Sequence, residues 1–335
     1  MKWGLIGCGV IGERRAQALP EGVQLTHCFD PARNRAEKIA QITGAEIVQD
    51  ADAIFNNKEI SAVIIASINS TLAPLITKAI SQNKHVLVEK PAARSFSELS
   101  SIDPKDCVIK VGFNHRFHPA YADLLQEIKN NPDDPIMFIR AQYGNGARVG
   151  FDREWRSNVE LSGGGELLDQ GVHVIDLASV LLPNMKVVTG YCRTHFWDMN
   201  VDDNSWAILS DKSGATFTFH VSSSEWKNEF RFEVYTRKRK YQWLGLGRSY
   251  GPEKLFIHKM KPEMGPPESE ERSYPPEDHS WKLENANFLQ AIKNKESING
   301  GYADAINCLR HVEDIYQKSK ILQNDTKHPQ WWRNS

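Results

Sequence analysis

Cysteine is scarce in this 335-residue chain, and its few residues form no pattern. Their number is odd, they are scattered, and no Cys-x-x-Cys pair occurs among them. Neither a disulfide framework nor a thiolate zinc site is therefore expected, and a reducing compartment fits best. The positions are Cys8, Cys28, Cys107, Cys192 and Cys308.

The chain also lacks an excess of charge and a long hydrophobic run. It has 41 Lys and Arg against 42 Asp and Glu, whereas binding to nucleic acid or to an anionic membrane favours a clearly basic surface. The start of the chain turns polar too soon for a secretory signal. The most apolar later stretch, 62–80, is interrupted by Asn69, Pro74 and Lys78. We expect a cytoplasmic protein that binds neither nucleic acid nor membrane.

Short strand-like runs alternate with helix-like stretches in the first third of the chain. The run Val63–Ala66 has no polar alternation, which is typical of a strand covered on both faces. Strand–helix–strand repetition predicts a doubly wound parallel sheet, the α/β architecture of a Rossmann domain. The predicted strands are 2–6, 23–29, 62–66, 85–88 and 108–113, with helices that include 11–19, 33–42 and 71–82.

The pattern changes near residue 118. Ala215–Val221 and Glu229–Tyr235 alternate apolar and polar residues without intervening helices, which indicates a mostly antiparallel sheet with one covered face. Residues 261–278, with five prolines and many charges, predict a long surface loop. We therefore predict a first domain of residues 1–118 and a second, α+β domain of residues 119–335. Helices of the second domain are predicted at 118–130, 165–182, 281–293 and 302–318.

A glycine motif, GCGVIG, follows the first predicted strand and opens the first helix. In a dinucleotide-binding turn the first glycine permits the tight turn, the second lets the pyrophosphate approach, and the third lets helix pack on strand. The N–H groups of the helix start then face the phosphates. A glycine-rich turn without a ligand is the alternative, but strand, turn and helix in this order favour a nucleotide. The candidate cofactor-binding residues are Gly7, Gly9, Val10, Ile11 and Gly12.

Asp30 ends the second predicted strand. A carboxylate there accepts hydrogen bonds from the ribose hydroxyls and repels a 2′-phosphate, which favours NAD over NADP. The alternative is that Asp30 caps the following helix, since Pro31 suits a first helical position. Arg33 lies close enough in sequence to weaken the discrimination, so NADP is not excluded.

Glu89-Lys90-Pro91 comes directly after the strand HVLV. Ligands of doubly wound sheets bind beyond the carboxyl ends of the strands, which puts Lys90 near the nicotinamide end of the crevice. A lysine there holds a hydroxyl or keto oxygen and stabilises developing alkoxide charge. The alternative is an ordinary solvated lysine at a strand end.

The segment 163–173, GGGELLDQGVH, places Asp169 and His173 four residues apart. They share a face if the segment is helical, and a carboxylate beside an imidazole makes an acid–base pair near neutral pH. The three glycines let the chain turn sharply or approach a ligand. The alternative is a surface pair on a capped helix, worth only a few tenths of a kcal/mol.

Together these segments resemble one family, glucose–fructose oxidoreductase / inositol dehydrogenase (Gfo/Idh/MocA). GCGVIG, EKP after HVLV, and DQGVH carry the resemblance in matching order, and VGFNHRFHPAY at 111–121 is similar to the interdomain stretch. The resemblance implies a Rossmann domain followed by an α+β domain with a large, mostly antiparallel open sheet. It also implies NAD(P)-dependent hydride transfer at a hydroxyl or keto carbon of a sugar, a polyol or a sugar derivative.

The resemblance also implies a catalytic set between the domains: Lys90, Asp169 and His173. In the implied mechanism His173 accepts the hydroxyl proton, Asp169 supports the imidazole, and Lys90 stabilises the oxygen. Lys90 and His173 could exchange the proton-transfer role. The large sheet commonly makes subunit contacts in the family, so a homodimer or homotetramer is expected through it.

Further coenzyme contacts follow from the family's ASxxN segment, present here as Ala66–Asn69. Ser67 and Asn69 are expected to join Glu89 and Lys90 at the nicotinamide side. Two positions depart from the common family pattern: Ile68 replaces a proline and Leu72 a histidine.

A glycine-rich stretch from Tyr143 to Arg156 precedes the triple glycine and could form a rim over the cleft. Arginines there would suit a carboxylate or phosphate, which favours an acidic or nucleotide-linked sugar. Trp155 could stack on a sugar face. The alternative is that these arginines are solvated loop charges. The candidate substrate-binding residues are Arg148, Trp155 and Arg156 in the rim, and Asn114 and Arg116 in the interdomain stretch.

Two other functions on this fold remain open. One is an NAD-dependent glycosidase that oxidises its substrate transiently, and the other is a dinucleotide-binding sensor without activity. His115 and His118 have a metal-like spacing but no third ligand near them, so no metal is expected. The segment HPQWW at 328–332 is predicted to pack on the body of the protein or at a subunit contact.

Overall fold

The computed structural model describes residues 1–294, 296 and 298–323, and in them the chain forms two sheets. The first sheet is parallel, with strand order β3-β2-β1-β4-β5-β6. This order is the doubly wound arrangement that the alternating pattern predicts, and it confirms the Rossmann-type fold. The strands are β1 Lys2–Ile6, β2 Gln24–Phe29, β3 Glu46–Ile47, β4 Ile60–Ile65, β5 His85–Val88 and β6 Ile109–Val111.

Helices cover both faces of this sheet because its central strands are apolar on both sides. Val63, Ile64 and Ile65 of β4 are fully buried, so neither face of that strand meets water. Ile65 packs in one hydrophobic cluster and Ile64 in another on the opposite face. The helices in this part of the chain are α1 Val10–Gln17, α2 Arg33–Thr43, α3 Ala51–Asn56, α4 Asn69–Ser81 and α5 Phe96–Ser100.

The second sheet has the strand order β14-β13-β12-β11-β7-β10-β9-β8. Its neighbours are antiparallel except β7 and β10, so the prediction of a mostly antiparallel sheet is confirmed. Phe217, Phe219 and Val221 are buried on one face, as their alternation predicts. The strands are β7 Ile136–Gly144, β8 Lys186–Arg193, β9 Asn204–Ser210, β10 Thr216–Ser222, β11 Glu229–Thr236, β12 Arg239–Leu244, β13 Lys254–Lys259 and β14 Glu268–Ser273.

One sequence prediction in this sheet is wrong. Residues 261–278 were expected to form a loop, but β14 lies within them and pairs with β13 at the edge of the sheet. Its sequence, ESEERS, has no apolar residue, and most of it is exposed. An edge strand of this kind is held by main-chain hydrogen bonds and by cross-strand charge pairs such as Lys254–Glu271, with 2.6 Å between Nζ and Oε1.

The remaining helices connect the two sheets. Their bounds are α6 Pro119–Asn130, α7 Val159–Ser162, α8 Val172–Leu181, α9 Ser280–Asn294 and α10 Tyr302–Gln323. A π-helical turn, Leu167–Gly171, runs directly into α8, so the predicted helix 165–182 exists with a change of pitch near its start. Such turns occur preferentially at functional sites.

The chain does not stay in its second half after residue 118. α9 returns to the first sheet, where Phe288 packs edge-on against Trp3 with ring centroids 5.2 Å apart. Beneath it the buried Arg15 guanidinium pairs with Glu284 of α9, 2.7 Å from Nη1 to Oε2, and with Glu89, 2.6 Å from Nη2 to Oε1. The first sheet and the helices that cover it are therefore built from the start of the chain together with residues 280–294.

Among the described residues, no helix combines the length and the apolar character that crossing a membrane requires. In that same part of the chain, no cluster of three His, Cys, Asp or Glu side chains is arranged to hold a metal ion. The segment 328–332, for which a packing role was predicted, lies outside the described residues.

Candidate active site

The glycine motif forms the tight turn between β1 and α1. Gly7 has a φ of +90°, and a Cβ on it would lie 2.4 Å from the main-chain oxygen of Ala66. A Cβ on Gly12 would lie 2.1 Å from the main-chain oxygen of Gly7, whereas Gly9 has open space around it. The first and third glycines are thus required by the turn and the helix packing, and the second leaves room for a ligand close to the backbone.

The start of α1 suits the phosphates of a dinucleotide. Gly9 is the N-cap and supplies no side-chain cap, so the first N–H groups of α1, from Val10 and Ile11, are left to a ligand or to water. Val10 is 71% exposed beside this opening. The local geometry therefore fits a bound pyrophosphate at the predicted place.

Asp30 stands at the carboxyl end of β2, next to the glycine turn. Its Oδ2 accepts the N–H of Cys8 and its Oδ1 accepts the N–H of Ala32, both at 2.8 Å. α2 begins only at Arg33 with Ala32 as its N-cap, so the alternative that Asp30 caps this helix is wrong. Arg33 points its guanidinium at Glu37, 3.3 Å from Nε to Oε1, and is largely exposed.

The predicted nicotinamide-side residues have different surroundings. Ser67 is half-buried and accepts a hydrogen bond of 2.7 Å from the hydroxyl of Thr71. Asn69 is 6% exposed and donates from Nδ2 to the main-chain oxygen of Ser162, at 2.9 Å. Asn69 thus ties the start of α4 to the segment that leads into the triple glycine.

Glu89 requires a correction. Its side chain was expected to contact the coenzyme. Instead, its carboxylate is buried against α1, where Oε1 accepts a hydrogen bond of 2.7 Å from Nε of Arg15. A buried guanidinium needs a carboxylate partner, and this requirement fixes Glu89. The side chain of Glu89 therefore stabilises the end of β5, directly before Lys90.

Lys90, which follows β5, contacts Asp169 of the π-helical turn Leu167–Gly171. The Lys90 ammonium donates to Asp169 Oδ1 and, at 2.6 Å, to the main-chain oxygen of the same residue. Arg156 contacts the other carboxylate oxygen, with 3.2 Å between Nε and Oδ2. Burial alone would raise the pKa of Asp169, but Lys90 and Arg156 outweigh it and hold the pKa well below its usual range. Asp169 is therefore ionised at neutral pH.

His173 follows on the next turn, in the first residues of α8. It is 4% exposed, and its ring stacks on His115 with centroids 3.9 Å apart. Burial, and next the charge of Lys90, lower the pKa of His173 well below its ordinary value, so the imidazole is neutral at pH 7. Its Nδ1 is buried and has no hydrogen-bond partner.

The support of the His173 imidazole by Asp169 stays a prediction. The Asp169 carboxylate is bound to Lys90 and Arg156, and its charge also raises the pKa of His173 against the larger effect of burial. The ring of His173 is held by packing against His115 and lies edge-on to Tyr143, with centroids 6.2 Å apart. Asp169 thus positions the ammonium, and the aromatic neighbours position the imidazole.

A cavity opens beside Asp169. It is bounded by α4 on one side and by the segments around residues 151–169 and 199–202 on the other. The residues that line it are Asn69, Phe151, Trp155, Arg156, Ser162, Gly164, Gly165, Glu166, Asp169, Met199, Val201 and Asp202. The cavity therefore combines a charged floor with an aromatic and apolar wall, the usual composition of a small-molecule site.

Two of the predicted rim residues reach this cavity. Trp155 and Arg156 line it, and the Arg156 guanidinium lies over the Trp155 ring at 4.6 Å from its centroid. Arg148 instead pairs with Glu154, 2.6 Å from Nη2 to Oε1, and its side chain is 65% exposed. Arg153 is exposed as well. Of the two predicted rim arginines, Arg156 lines the cavity and Arg148 does not.

Asn114 and Arg116 require a correction. Arg116 was expected to contact the substrate, but it is buried in a two-pronged ion pair with Asp176, 2.7 Å from Nε and 2.6 Å from Nη2. Asn114 donates to the hydroxyl of Ser280 at 2.9 Å. Both residues satisfy buried polar groups where α8 and α9 approach the crossover, so they hold the layers together rather than bind a ligand.

Sequence reasoning missed Glu166, which lines the cavity together with Asp169. The spacing of Glu166, Asp169 and His173 is i, i+3, i+7, the positions that share one face of a helix. That spacing could have revealed it. Sequence reasoning also missed Asp202. Its carboxylate fixes the start of the same helical segment by accepting hydrogen bonds from the N–H of Gly165 at 3.0 Å and from the N–H of Leu167 at 2.8 Å.

Comparison with known sequences assigns both halves of the chain to one family. Residues 1–104 match the oxidoreductase family with an NAD-binding Rossmann fold, and residues 135–242 match the GFO/IDH/MocA C-terminal domain. The chain belongs to the Gfo/Idh/MocA family. This membership confirms the resemblance seen in the motifs, and it confirms NAD as the expected type of coenzyme for the first sheet.

The family's characterised members include similar sequences. Over 247 residues, 69% of this chain and 70% of the relative, it is 28% identical to scyllo-inositol 2-dehydrogenase (NAD(+)) of Bacillus subtilis. It is 27% identical over 218 residues to dTDP-3,4-didehydro-2,6-dideoxy-alpha-D-glucose 3-reductase of Streptomyces violaceoruber, covering 63% of each chain.

A solved structure, levoglucosan dehydrogenase with NADH and levoglucosan, superposes with a TM-score of 0.87 at 20% identity over 96% of this chain and 97% of that one. A 3-ketoreductase from Actinomadura kijaniata with NADP and TDP-benzene gives 0.82 at 19% identity, over 95% and 97%. These structures share the fold.

Proposed function

We propose that this member of the Gfo/Idh/MocA family oxidises a secondary alcohol of a sugar or polyol with NAD, reversibly. The observation that carries the proposal is the proximity of three groups: the Lys90 ammonium is paired with the ionised Asp169 carboxylate, which lines the cavity, and the charges of both act on the neutral imidazole of His173. An ammonium and a neutral base beside a nucleotide-binding turn are what hydride transfer from an alcohol requires of a protein.

The coenzyme, when bound, supplies the hydride acceptor, and the residues of the protein handle the proton and the oxygen. His173 accepts the hydroxyl proton, and because Nδ1 is sealed from solvent the receiving nitrogen is Nε2. Lys90 stabilises the charge that develops on the oxygen. Asp169 holds the ammonium in place through two acceptors, its carboxylate and its carbonyl group.

The substrate class rests on the site and on the relatives. An aromatic ring at the cavity wall, Trp155, suits the apolar face of a sugar, and the acids and the arginine suit its hydroxyl groups. Relatives that act on inositol, levoglucosan and glucose 6-phosphate supply the test compounds.

The experiment is a turnover assay with purified protein and NAD or NADP. scyllo-Inositol, levoglucosan, D-glucose and D-glucose 6-phosphate are offered in turn, and the absorbance of reduced coenzyme is followed. We expect turnover with at least one compound and its loss in Lys90→Ala, while Lys58→Ala, an exposed lysine outside the site, retains it. Binding of NADH without turnover of any compound would contradict the proposal, and glycosidic cleavage without net reduction would favour the glycosidase.

We also propose that the outer face of the second sheet joins two or four copies of the chain. Phe138 and Tyr235 stack on this face, with centroids 4.2 Å apart, and Ile208 and Val188 are 38% and 56% exposed on it. Apolar groups exposed together on one sheet face are typical of a subunit contact. Light scattering should give a dimer or tetramer, and Ile208→Lys should shift it towards the monomer. A wild-type monomer at micromolar concentration would contradict this.

A further inference from the structure

Glu166 lies on the reactive face of the helical segment but has no part in the chemistry described above. It precedes the π-helical turn, in line with Asp169 and His173, and its side chain borders the cavity. The residue is 3% exposed, so its carboxyl group has left bulk water. A polar group in that position needs a partner, from the protein or from a ligand.

The protein supplies no such partner among the described residues. Glu166 Oε1 is buried and accepts no hydrogen bond. Burial, and next the charges of Asp169 and Asp202, raise the pKa of Glu166 well above its usual range, which favours the protonated carboxyl group. A neutral carboxyl group both donates and accepts, which matches a hydroxyl group.

Asp202, the neighbouring acid, is a useful contrast. Its Oδ1 accepts from the Tyr316 hydroxyl at 2.6 Å and from the N–H of Gly165 at 3.0 Å. Its Oδ2 accepts from the N–H of Leu167 and from the hydroxyl of Ser205, at 2.8 and 2.7 Å. Both carboxylate oxygens of Asp202 thus accept hydrogen bonds from the protein. Among the acids that line the cavity, Glu166 is the one without a hydrogen-bond partner for its side chain in the described residues.

The charges at the cavity are also balanced before any ligand enters. Arg156 is the one Arg or Lys among the lining residues that the structure describes, and it is held by Asp169 and by Glu154, at 3.2 and 3.7 Å. Lys90 is held by the same Asp169 carboxylate. A phosphate or carboxylate would have to compete with these ion pairs and would meet Asp169 at close range, so the site favours an uncharged ligand.

We infer that Glu166 is a specificity-determining residue that recognises a hydroxyl group of an uncharged sugar or polyol, an inference that rests on the proposed function. The hydroxyl belongs to a carbon other than the one oxidised, because the reacting hydroxyl is committed to His173 and Lys90. The contact exists in the bound substrate as well as during reaction, so it lowers KM and leaves kcat largely unchanged.

The test compares Glu166→Ala, Glu166→Gln and a matched control, Glu160→Ala. Glu160 is an exposed glutamate of α7 outside the cavity lining. With the best uncharged compound of scyllo-inositol, levoglucosan and D-glucose, Glu166→Ala should raise KM by about 2- to 13-fold, the range of one neutral hydrogen bond, with kcat within about threefold. Glu166→Gln, which also donates and accepts, and Glu160→Ala should stay within about twofold of the wild type.

The charge preference is tested with D-glucose and D-glucose 6-phosphate, which differ by one phosphate. We expect kcat/KM to be at least about tenfold higher for D-glucose or another uncharged compound. Preference for the phosphate overturns the uncharged class. Wild-type turnover with an unchanged KM in Glu166→Ala, or an equal loss in Glu166→Gln, overturns the role of Glu166 alone. Wild type that oxidises none of the four compounds with NAD, and that binds none of them in calorimetry when loaded with NADH, overturns the inference and the proposed function together.

Discussion

Lys90 and Asp169 join the two halves of the molecule: the ammonium at the end of β5 lies against the carboxylate of the π-helical turn and, 2.6 Å away, its carbonyl oxygen. Asp169→Asn keeps a hydrogen-bond acceptor but removes the charge that holds both Lys90 and Arg156. We expect kcat/KM to fall at least about tenfold, because the ammonium loses its fixed position. Steady-state kinetics measure this, with Asp152→Asn in the rim as the control. Wild-type kinetics in Asp169→Asn would show that the ion pair has no role in positioning.

His173→Ala should lower kcat by about two to four orders of magnitude, the usual contribution of a positioned base. Affinity for NADH should stay near that of the wild type, because the side chain lies in the second half of the chain rather than in the nucleotide-binding turn. Fluorescence titration measures that affinity and also reports correct folding. The matched change His258→Ala, on β13, should leave both quantities unaltered. Full turnover in His173→Ala would mean that another group moves the proton.

Asp30 decides the coenzyme preference in our interpretation. Asp30→Ser should weaken NADH binding about tenfold or more, since hydrogen bonds to a charged acceptor are lost, and should strengthen NADPH binding because a repulsive charge is removed. Titration with both reduced coenzymes gives the ratio of their dissociation constants. Arg33→Ala should leave NADH binding unchanged. A ratio that is the same in wild type and Asp30→Ser would remove Asp30 from coenzyme selection.

Arg15 should be important for stability because its charge is fully buried between two carboxylates. Arg15→Met leaves Glu89 and Glu284 facing each other without this cation, and we expect the free energy of unfolding to fall by about 3–5 kcal/mol. Urea unfolding at pH 7 measures the change. Arg35→Met, an exposed arginine of α2, is the control and should stay within about 0.5 kcal/mol. An equally stable Arg15→Met protein would mean that the pair contributes nothing net.

Stability should decline in mild acid because of two stacked histidines. Burial is the main cause that lowers the pKa values of His115 and His173 well below 6.5. The next causes are His173 for His115 and the charge of Lys90 for His173; His118 also lowers both, and Asp169 opposes the shift of His173. Below pH 6.5 the unfolded chain binds protons that the folded chain does not, so the free energy of unfolding falls as the pH falls. Each histidine contributes a slope of up to about 1.4 kcal/mol per pH unit, and the stabilisation is fully present above pH 6.5.

Unfolding in urea at several pH values between about 5 and 8 checks this. His115→Gln should reduce the slope by about one proton, whereas His279→Gln, at an exposed position, should keep the wild-type slope. An unchanged slope in His115→Gln would mean that His115 is not held neutral by the fold.

The parts of the fold that sequence reasoning found are those with strong local signals. β1 and β5 have the predicted bounds because each is an apolar run that a glycine or charged turn ends. β14 escaped because its residues are polar and its pairing with β13 depends on main-chain hydrogen bonds, which leave no hydrophobic pattern. The return of α9 to the first sheet is likewise a long-range contact that no local window contains.

The same distinction explains the site. The glycine turn, Asp30 and Lys90 stand at strand ends, where the doubly wound topology alone brings them to one edge. Arg116 was misplaced because its partner, Asp176, is 60 residues away in the chain and a buried ion pair has no sequence signature. The spacing of Glu166 could have been recognised in the sequence. Its role in binding depends on the absence of a hydrogen-bond partner at Oε1, which only the structure reveals.

The packing of Phe288 on Trp3 has a consequence for the way the molecule is made. During synthesis the strands of the first sheet leave the ribosome long before the helix that covers them. Until residues 280–294 emerge, Trp3 lacks its apolar cover and Arg15 lacks one of its two anions. The coenzyme-binding layer is thus discontinuous in the chain, and a fragment cut near residue 118 lacks part of it: this layer is completed late in synthesis.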